Sequence, residues 1–240
     1  MPGYQIFQLN RAGRLGGGLL SAIDEALDPV LINAGDDDAE ILVVQIKVGH
    51  IDIRIFNAYR PQEDEKSSSM KFWLCLEKEI MKKQENCCML IDMDANAKIG
   101  TKFQSLSENV KLLMEMARRQ NSEILNNLNI CKGIITRNRI TKCSEENSTL
   151  DYILVCDILE NYVTSMLIDE ERIFTLTKFV STQGIIRKIK SNHNSLFCNF
   201  DITYKKEIFT LLRKDVFNLK DLEGQENFKS ETENTTVNVN

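Results

Sequence analysis

The chain has 240 residues, 42% of them hydrophobic and 27% charged, and its formal net charge is −5 at pH 7. These values are ordinary for one globular domain with a sizeable core. The longest purely aliphatic run, Ile41–Val44, is too short to span a bilayer, and the first residues lack the charged and apolar regions of a signal peptide.

Cysteine and histidine usage argues against a zinc site. The seven cysteines include the adjacent Cys87 and Cys88 but no Cys-x-x-Cys pair, and the two histidines are His50 and His193. An odd number of cysteines is most simply explained by reduced thiols, which predict an intracellular protein of the nucleus or cytoplasm.

Strand patterns open the chain. Gly16–Gly18, which lacks the spacing of a phosphate-binding loop, precedes a predicted strand at Leu19–Ile23. Glu40–Val48 is strongly β-prone, and Ile51–Tyr59 begins with alternating apolar and polar residues. Because a short break at Gly49 separates these last two runs, the sequence predicts a hairpin.

Helical and strand patterns then alternate. A helix over Lys71–Gln84, capped by Ser67–Ser69, presents an apolar face, and a short strand follows at Cys87–Met93. Ser107 caps a second predicted helix, whose apolar residues Val110, Leu113, Met114 and Ala117 recur at helical spacing. Further strands are expected at Leu150–Cys156, Tyr162–Ile168 and Ser195–Ile202. This mixture predicts α+β layers, followed by a disordered polar tail.

Two basic runs stand out in an acidic chain. Lys132–Lys142, with Arg137 and Arg139, and Lys178–Lys190 contain no acidic residue. A locally basic face can contact phosphates even when the net charge is negative. From charge alone, however, both runs are also explained as solvated loops.

Polar residues at two strand ends are candidates for chemistry. Asp94 and Asn96 follow the Cys87–Met93 strand and, being two apart, can project to one side. A carboxylate there can take a proton from water, although Asp and Asn after a strand also commonly form a turn. Asp151 begins an apolar strand and could pair with His193, which would fix the imidazole tautomer and favour its charged form.

The order of the motifs is more specific than any one of them. The segments concerned are Tyr4–Gly18, Asn57–Gln62, Met93–Lys98, Gly133–Arg137, Leu150–Val155, Asp169–Lys178 and Ser191–Asn194. In this order they resemble the endonuclease/exonuclease/phosphatase superfamily, most closely the endonuclease region of non-LTR retrotransposon polyproteins. The resemblance covers roughly residues 3–203.

The resemblance implies a four-layer sandwich of two packed mixed β-sheets flanked by helices, formed by residues 1–203. Residues 204–240 would be a linker-like helix and tail leading towards a reverse transcriptase. The implied activity is hydrolysis of DNA phosphodiesters with Mg²⁺ or Mn²⁺ by in-line attack of water. Neither a membrane nor a small-molecule cofactor is expected.

Residue roles carry over at the matching positions. Asp94 would position or deprotonate the water, Asn96 would orient the water or the phosphate, and Tyr59 would contact the phosphate. Asp151 would pair with His193, which would stabilise charge developing on a phosphate oxygen. The two DNA contacts implied in the first basic run are Arg137 and Arg139.

Two departures from the family pattern bear on activity. Asn192 stands where the family has an Asp before the final His, and an amide cannot neutralise the charge of a metal ion. The family's first-strand Asn and metal-ligating Glu have no counterpart, since Asn10, Glu25 and Glu40 lie in other contexts. We therefore expect a domain that is missing its N-terminal strands.

Three hypotheses for the function remain open. The first is a metal-dependent DNA endonuclease with impaired activity. The second is a catalytically dead remnant that binds nucleic acid weakly at most. The third, which the basic runs and the retrotransposon-like motifs favour less, is a phosphatase of the same superfamily.

Overall fold

The computed structural model describes residues 3–10, 18–35, 39–60, 66–82, 87–98, 108–140, 145–174, 177–182 and 185–202. Its strands and helices are β1 (Tyr4–Asn10), β2 (Gly18–Asp24), β3 (Val30–Asn33), β4 (Glu40–Val48), β5 (Ile51–Tyr59), α1 (Lys66–Met81), β6 (Cys87–Asp94), α2 (Glu108–Arg119), β7 (Ser122–Ile124), β8 (Cys131–Lys132), β9 (Arg137–Ile140), β10 (Glu145–Ser148), β11 (Asp151–Cys156), α3 (Asp157–Glu160), β12 (Val163–Ile168), β13 (Thr177–Thr182), β14 (Ile185–Lys190) and β15 (Leu196–Phe200). No helix within these ranges has the length and apolar character needed to cross a membrane.

The largest sheet has the strand order β3-β4-β5-β6-β11-β7. Its neighbours are antiparallel except for β5 and β6, which run parallel. The predicted hairpin is confirmed, because β4 pairs with β5 along its whole length from Glu40 to Val48. Gly49 makes the turn with a φ of 62°, a left-handed conformation that glycine adopts without strain.

A second layer packs on this sheet. The β1–β2 hairpin contacts β4 and β5, and β12 lies between β15 and β8. Buried residues of both layers, including Phe7, Leu42, Met166 and Phe200, belong to one hydrophobic cluster. The mixed sheets and few helices form an α+β sandwich, as the sequence predicts.

The first helix starts earlier than its sequence pattern indicates. α1 begins at Lys66, so the serines predicted to cap it, Ser67–Ser69, lie within its first turns. The predicted apolar face is confirmed by four buried residues, Phe72, Trp73, Leu76 and Ile80. These four side chains hold α1 against the core.

The second helix corrects one predicted core residue. In α2, Val110, Leu113 and Ala117 are buried as predicted, but Met114 is 49% exposed and Met116 is fully buried instead. The helix face that meets the core is therefore rotated from the predicted one. The predicted cap, Ser107, lies outside the described residues.

The basic runs are not loops throughout. Arg137 and Arg139 lie on β9, which pairs with β10, and the Lys178–Lys190 run forms most of the β13–β14 hairpin. The tail from residue 203 onward, including the predicted linker-like helix, lies outside the described residues.

Candidate active site

Three neighbouring strands of the large sheet bring polar side chains to one place. Asp94, at the end of β6, is directly opposite Tyr59 at the end of β5 and Asp151 at the start of β11. Residues that are paired across adjacent strands share a face of the sheet. Tyr59, Asp94 and Asp151 therefore lie side by side at one end of the central strands of the large sheet.

The segment after Asp94 is a turn that fixes Asn96. Asn96 has a left-handed φ of 45°, which asparagine tolerates better than most residues. Its backbone N–H donates to Asp94 Oδ1 at 3.1 Å, and its Nδ2 donates to the Arg60 carbonyl at 2.6 Å. Asn109 of α2 donates to the Asn96 carbonyl at 3.2 Å. Turn formation and a chemical role are thus compatible at this position.

The structure places Asp151 and His193 together. His193 Nδ1 lies 3.1 and 2.9 Å from the two carboxylate oxygens of Asp151. The side chains are 33% exposed for His193 and 16% exposed for Asp151, so substrate can still reach the imidazole. The buried Thr136 fixes the start of β11, because its Oγ1 accepts the N–H groups of Leu150 at 2.8 Å and Asp151 at 3.0 Å.

The proximity of these groups changes how they titrate. Burial, followed by the charge of Asp151, raises the pKa of Asp94 from 3.8 to about 7, although His193, the Asn96 N–H and Arg137 act to lower it. Burial lowers the pKa of His193, but the hydrogen bond and charge of Asp151 and the charge of Asp94 outweigh burial and raise this pKa above 6.5. Near neutral pH, Asp94 thus exchanges a proton beside an imidazole whose charged form is favoured by Asp151.

The same three residues form a candidate metal group. Ligand atoms of Asp94, Asp151 and His193 all lie within 4.8 Å of one another. Asp94 and Asp151 each offer a carboxylate oxygen for a cation, although Asp151 also contacts His193 Nδ1. Mg²⁺ commonly binds through one or two carboxylates together with substrate phosphates and water, so this donor set fits such an ion.

The positions that departed from the family pattern lie as follows. Asn192 directly precedes His193, and its carbonyl accepts the Asn138 N–H at 2.8 Å. Glu25 lies in a short 3₁₀ helix, and Glu40 begins β4. Among the described residues, neither glutamate belongs to the candidate metal group.

The two arginines predicted to contact DNA differ in their surroundings. Arg137 is half-buried and forms an antiparallel bridge with His193, whereas Arg139 is exposed two residues further along β9. The structure therefore brings Arg137 into the site and leaves Arg139 on the surface.

Several residues that support the site were not predicted. Asn194, next to His193, donates its N–H to the Thr136 carbonyl at 2.6 Å and its Nδ2 to the Ile135 carbonyl at 2.6 Å. Glu170 Oε1 accepts the N–H groups of Ile134 at 2.6 Å and Ile135 at 2.7 Å. The Asn194 bonds tie the segment before β9 to His193, and the Glu170 bonds tie it to the segment that follows β12. Thr136 and Glu170 do fall inside segments that carry the family resemblance.

Sequence comparison finds no family model that matches the chain and no curated protein that matches it. Solved structures do match. One is the endonuclease domain of TRAS1, a telomere-specific non-LTR retrotransposon, with a TM-score of 0.60 and 20% identity over 85% of this chain and 83% of that one.

Two further structures share the architecture. A 3′ phosphatase, NExo, from Neisseria bound to a product DNA hairpin has a TM-score of 0.56 and 13% identity, over 83% of this chain and 80% of that one. An endonuclease/exonuclease/phosphatase family protein from Leptotrichia buccalis has a TM-score of 0.53 and 14% identity, over 80% and 70% of the two chains. The chain therefore has the endonuclease/exonuclease/phosphatase fold, as its motifs predict.

Proposed function

We propose that this chain is a metal-dependent DNA endonuclease domain of the non-LTR retrotransposon kind. The observation that carries the proposal is the gathering of Asp94, Asp151 and His193 from three separate segments into one cluster. The cluster lies in a fold shared with a retrotransposon endonuclease domain. Its residues match, one by one, the roles that the resemblance implies.

Each residue of the site has a separate role in hydrolysis. The water oxygen bonds to phosphorus while one ester P–O bond breaks, the water proton passes to Asp94, and the departing oxygen takes a proton from solvent. In the metal-free site a pKa of about 7 suits Asp94 as a general base near neutral pH. A cation bound to Asp94 would lower this pKa, and Asp94 would then position the water while the water proton passes to solvent. Asn96 orients the water, and Tyr59 contacts the phosphate. A divalent cation, Mg²⁺ or Mn²⁺, when bound at Asp94 supplies Lewis-acid polarisation of the phosphoryl oxygens.

His193 supplies electrostatic stabilisation. Asp151 holds the imidazole through Nδ1 and favours its charged form. A preorganised positive charge next to the phosphate stabilises the extra negative charge of the transition state. Asp151 thus acts on the substrate through His193.

The fuller proposal concerns the natural polypeptide. We infer that strands preceding Met1 would supply the family's Asn and its metal-ligating Glu, and that a reverse transcriptase would follow the segment 204–240. The coding sequence on either side of the chain tests both statements. Flanking sequence that encodes neither of these parts would contradict this part of the proposal.

The central test is nicking of a supercoiled plasmid with Mg²⁺ or Mn²⁺. We expect nicking by the unmodified chain, and its loss in Asp94→Ala. The matched control is Asp52→Ala, which should nick normally. Asp52 lies at the other end of β5 from Tyr59, about 23 Å from it at the rise of a strand. Failure of the unmodified chain with either metal would favour the catalytically dead remnant. Nicking that persists in Asp94→Ala would place the active site elsewhere.

The phosphatase alternative needs a separate substrate. An oligonucleotide with a 3′-terminal phosphate would release inorganic phosphate if the chain were a phosphatase, whereas an endonuclease leaves that group in place. Release of phosphate faster than plasmid nicking would favour the phosphatase.

A further inference from the structure

Arg137 and His193 are held directly opposite each other. The Asn138 N–H donates to the Asn192 carbonyl at 2.8 Å, and the Asn194 N–H donates to the Thr136 carbonyl at 2.6 Å. These two bonds flank the Arg137–His193 bridge, so the pair itself is of the non-hydrogen-bonded antiparallel type. In such a pair the Cα atoms lie about 4.5 Å apart and the side chains share one face. The guanidinium and the imidazole therefore belong to the same surface.

The Arg137 side chain has a donor that lacks an acceptor. Its Nε is buried and makes no hydrogen bond with any residue that the structure describes. Leaving a buried donor without an acceptor is unfavourable. The carboxylate of Asp151, which contacts His193 Nδ1, makes no hydrogen bond to this Nε.

The charge of Arg137 acts on the site itself. Arg137 pairs with His193 across the bridge, and His193 in turn contacts the carboxylate of Asp151. Two cationic side chains on one face favour a bound anion, while the neighbouring carboxylates of Asp94 and Asp151 oppose it. A guanidinium presents planar, bidentate donors that match the oxygens of a phosphate.

We propose that Arg137 is a catalytic residue that binds the phosphoryl oxygens of the scissile phosphodiester beside His193. This inference rests on the proposed function for the identity of the substrate, but the anion site itself does not. Arg137 forms no covalent bond; it holds the phosphate oxygens and offsets their growing negative charge as water attacks. Arg139 is exposed on the same strand. Unlike Arg137, it can serve only as a more distant contact to the DNA backbone.

Binding of inorganic phosphate to metal-free protein tests the anion site without any need for activity. The chain contains only two histidines, His50 and His193, so the imidazole C–H resonances of His193 can be assigned and those of His50 serve as an internal reference. We expect the His193 resonances to shift saturably with added phosphate and the His50 resonances to stay in place.

Variants assign that binding to one side chain. We expect Arg137→Met to weaken phosphate binding by about ten-fold or more, as for the loss of hydrogen bonds to a charged group, and Arg137→Lys to weaken it less. The matched control is Arg118→Met, which removes an exposed arginine of α2. Unchanged binding in Arg137→Met would overturn the proposal, and so would equal weakening in Arg139→Met, because it would indicate a diffuse basic surface.

Nicking by the same variants separates this inference from the proposed function. We expect Arg137→Met to lower kcat by about a hundred-fold, as for other transition-state donors, with a smaller effect on KM. If no variant nicks but phosphate binding depends on Arg137, the anion site stands and the hydrolysis proposal fails. If the unmodified chain and Arg137→Met nick equally well, the catalytic role of Arg137 fails and the proposed function stands.

Discussion

Asn192 carries an amide where the pattern that this site resembles has a carboxylate. Its carbonyl is already bonded to the Asn138 N–H at 2.8 Å, so a change of side chain leaves the backbone in place. We expect Asn192→Asp to raise the Mg²⁺-dependent nicking rate by about ten-fold or more, since it restores a carboxylate next to His193. Asn192→Ser, which adds no charge, is the control. Equal rates for all three chains would mean that the amide does not limit the activity.

Asp94 is the residue that should link stability to pH. Its folded-state pKa of about 7 lies above the ordinary value of 3.8. A raised pKa stabilises the fold below the ordinary value, and that contribution is lost as the pH rises through the folded value. His193, whose pKa is also raised, contributes with the same sign.

Asp94→Asn keeps the neutral form at every pH. We therefore expect the unfolding free energy of this variant, relative to that of the unmodified chain, to rise by about 1–3 kcal/mol from pH 5 to pH 8 in the absence of metal. Urea denaturation at both pH values, with a chelator present, measures this gain. Asp52→Asn is the control. Parallel pH profiles for the unmodified chain and Asp94→Asn would show that Asp94 titrates normally.

At the scale of elements, the strongest local patterns gave the best predictions. β4 and β5 were predicted with the correct bounds because a strongly β-prone run and an alternating run lie on either side of the break at Gly49. The exposure of Met114 was missed because it depends on which helix face meets the core. The start of α1 was missed because serines that can cap a helix can also lie within its first turns. Four of the family-like motifs contain the residues that gather at the site, which are Tyr59, Asp94, Asp151 and His193. Thr136 and Asn109 could not be named, since their hydrogen bonds reach residues 13–15 positions away along the chain.

The start of β11 should be sensitive to Thr136, since one hydroxyl satisfies two backbone N–H groups there. Thr136→Val keeps the shape, leaves both donors without this acceptor, and should lower the unfolding free energy by about 1–3 kcal/mol. It should also reduce nicking, because Asp151 would no longer be fixed against His193. Ser122→Ala, which removes another buried hydroxyl, bonded to the Ala117 carbonyl at 3.2 Å, is the control. Normal nicking by Thr136→Val would show that Asp151 is held by other contacts.

At the scale of the whole molecule, the proposed cleavage of DNA requires an acidic chain to present a basic surface to its substrate. The net charge is −5, yet Arg137 and Arg139 stand on β9 next to His193, and the second basic run forms the β13–β14 hairpin that leads into the His193 segment. Two basic segments that are separate in sequence thus both adjoin the segment that carries His193.

Salt dependence of DNA binding tests this arrangement. Each phosphate contact contributes about 0.9 to the slope of log K against log salt concentration. We expect Arg139→Gln to reduce that slope by about one contact, since Arg139 is exposed beside the site, and Arg118→Gln on α2 to leave it unchanged. Fluorescence anisotropy with a labelled duplex at several salt concentrations measures both slopes. Equal slopes for the two variants would mean that DNA does not lie along β9, and the basic character of that strand would then need another explanation.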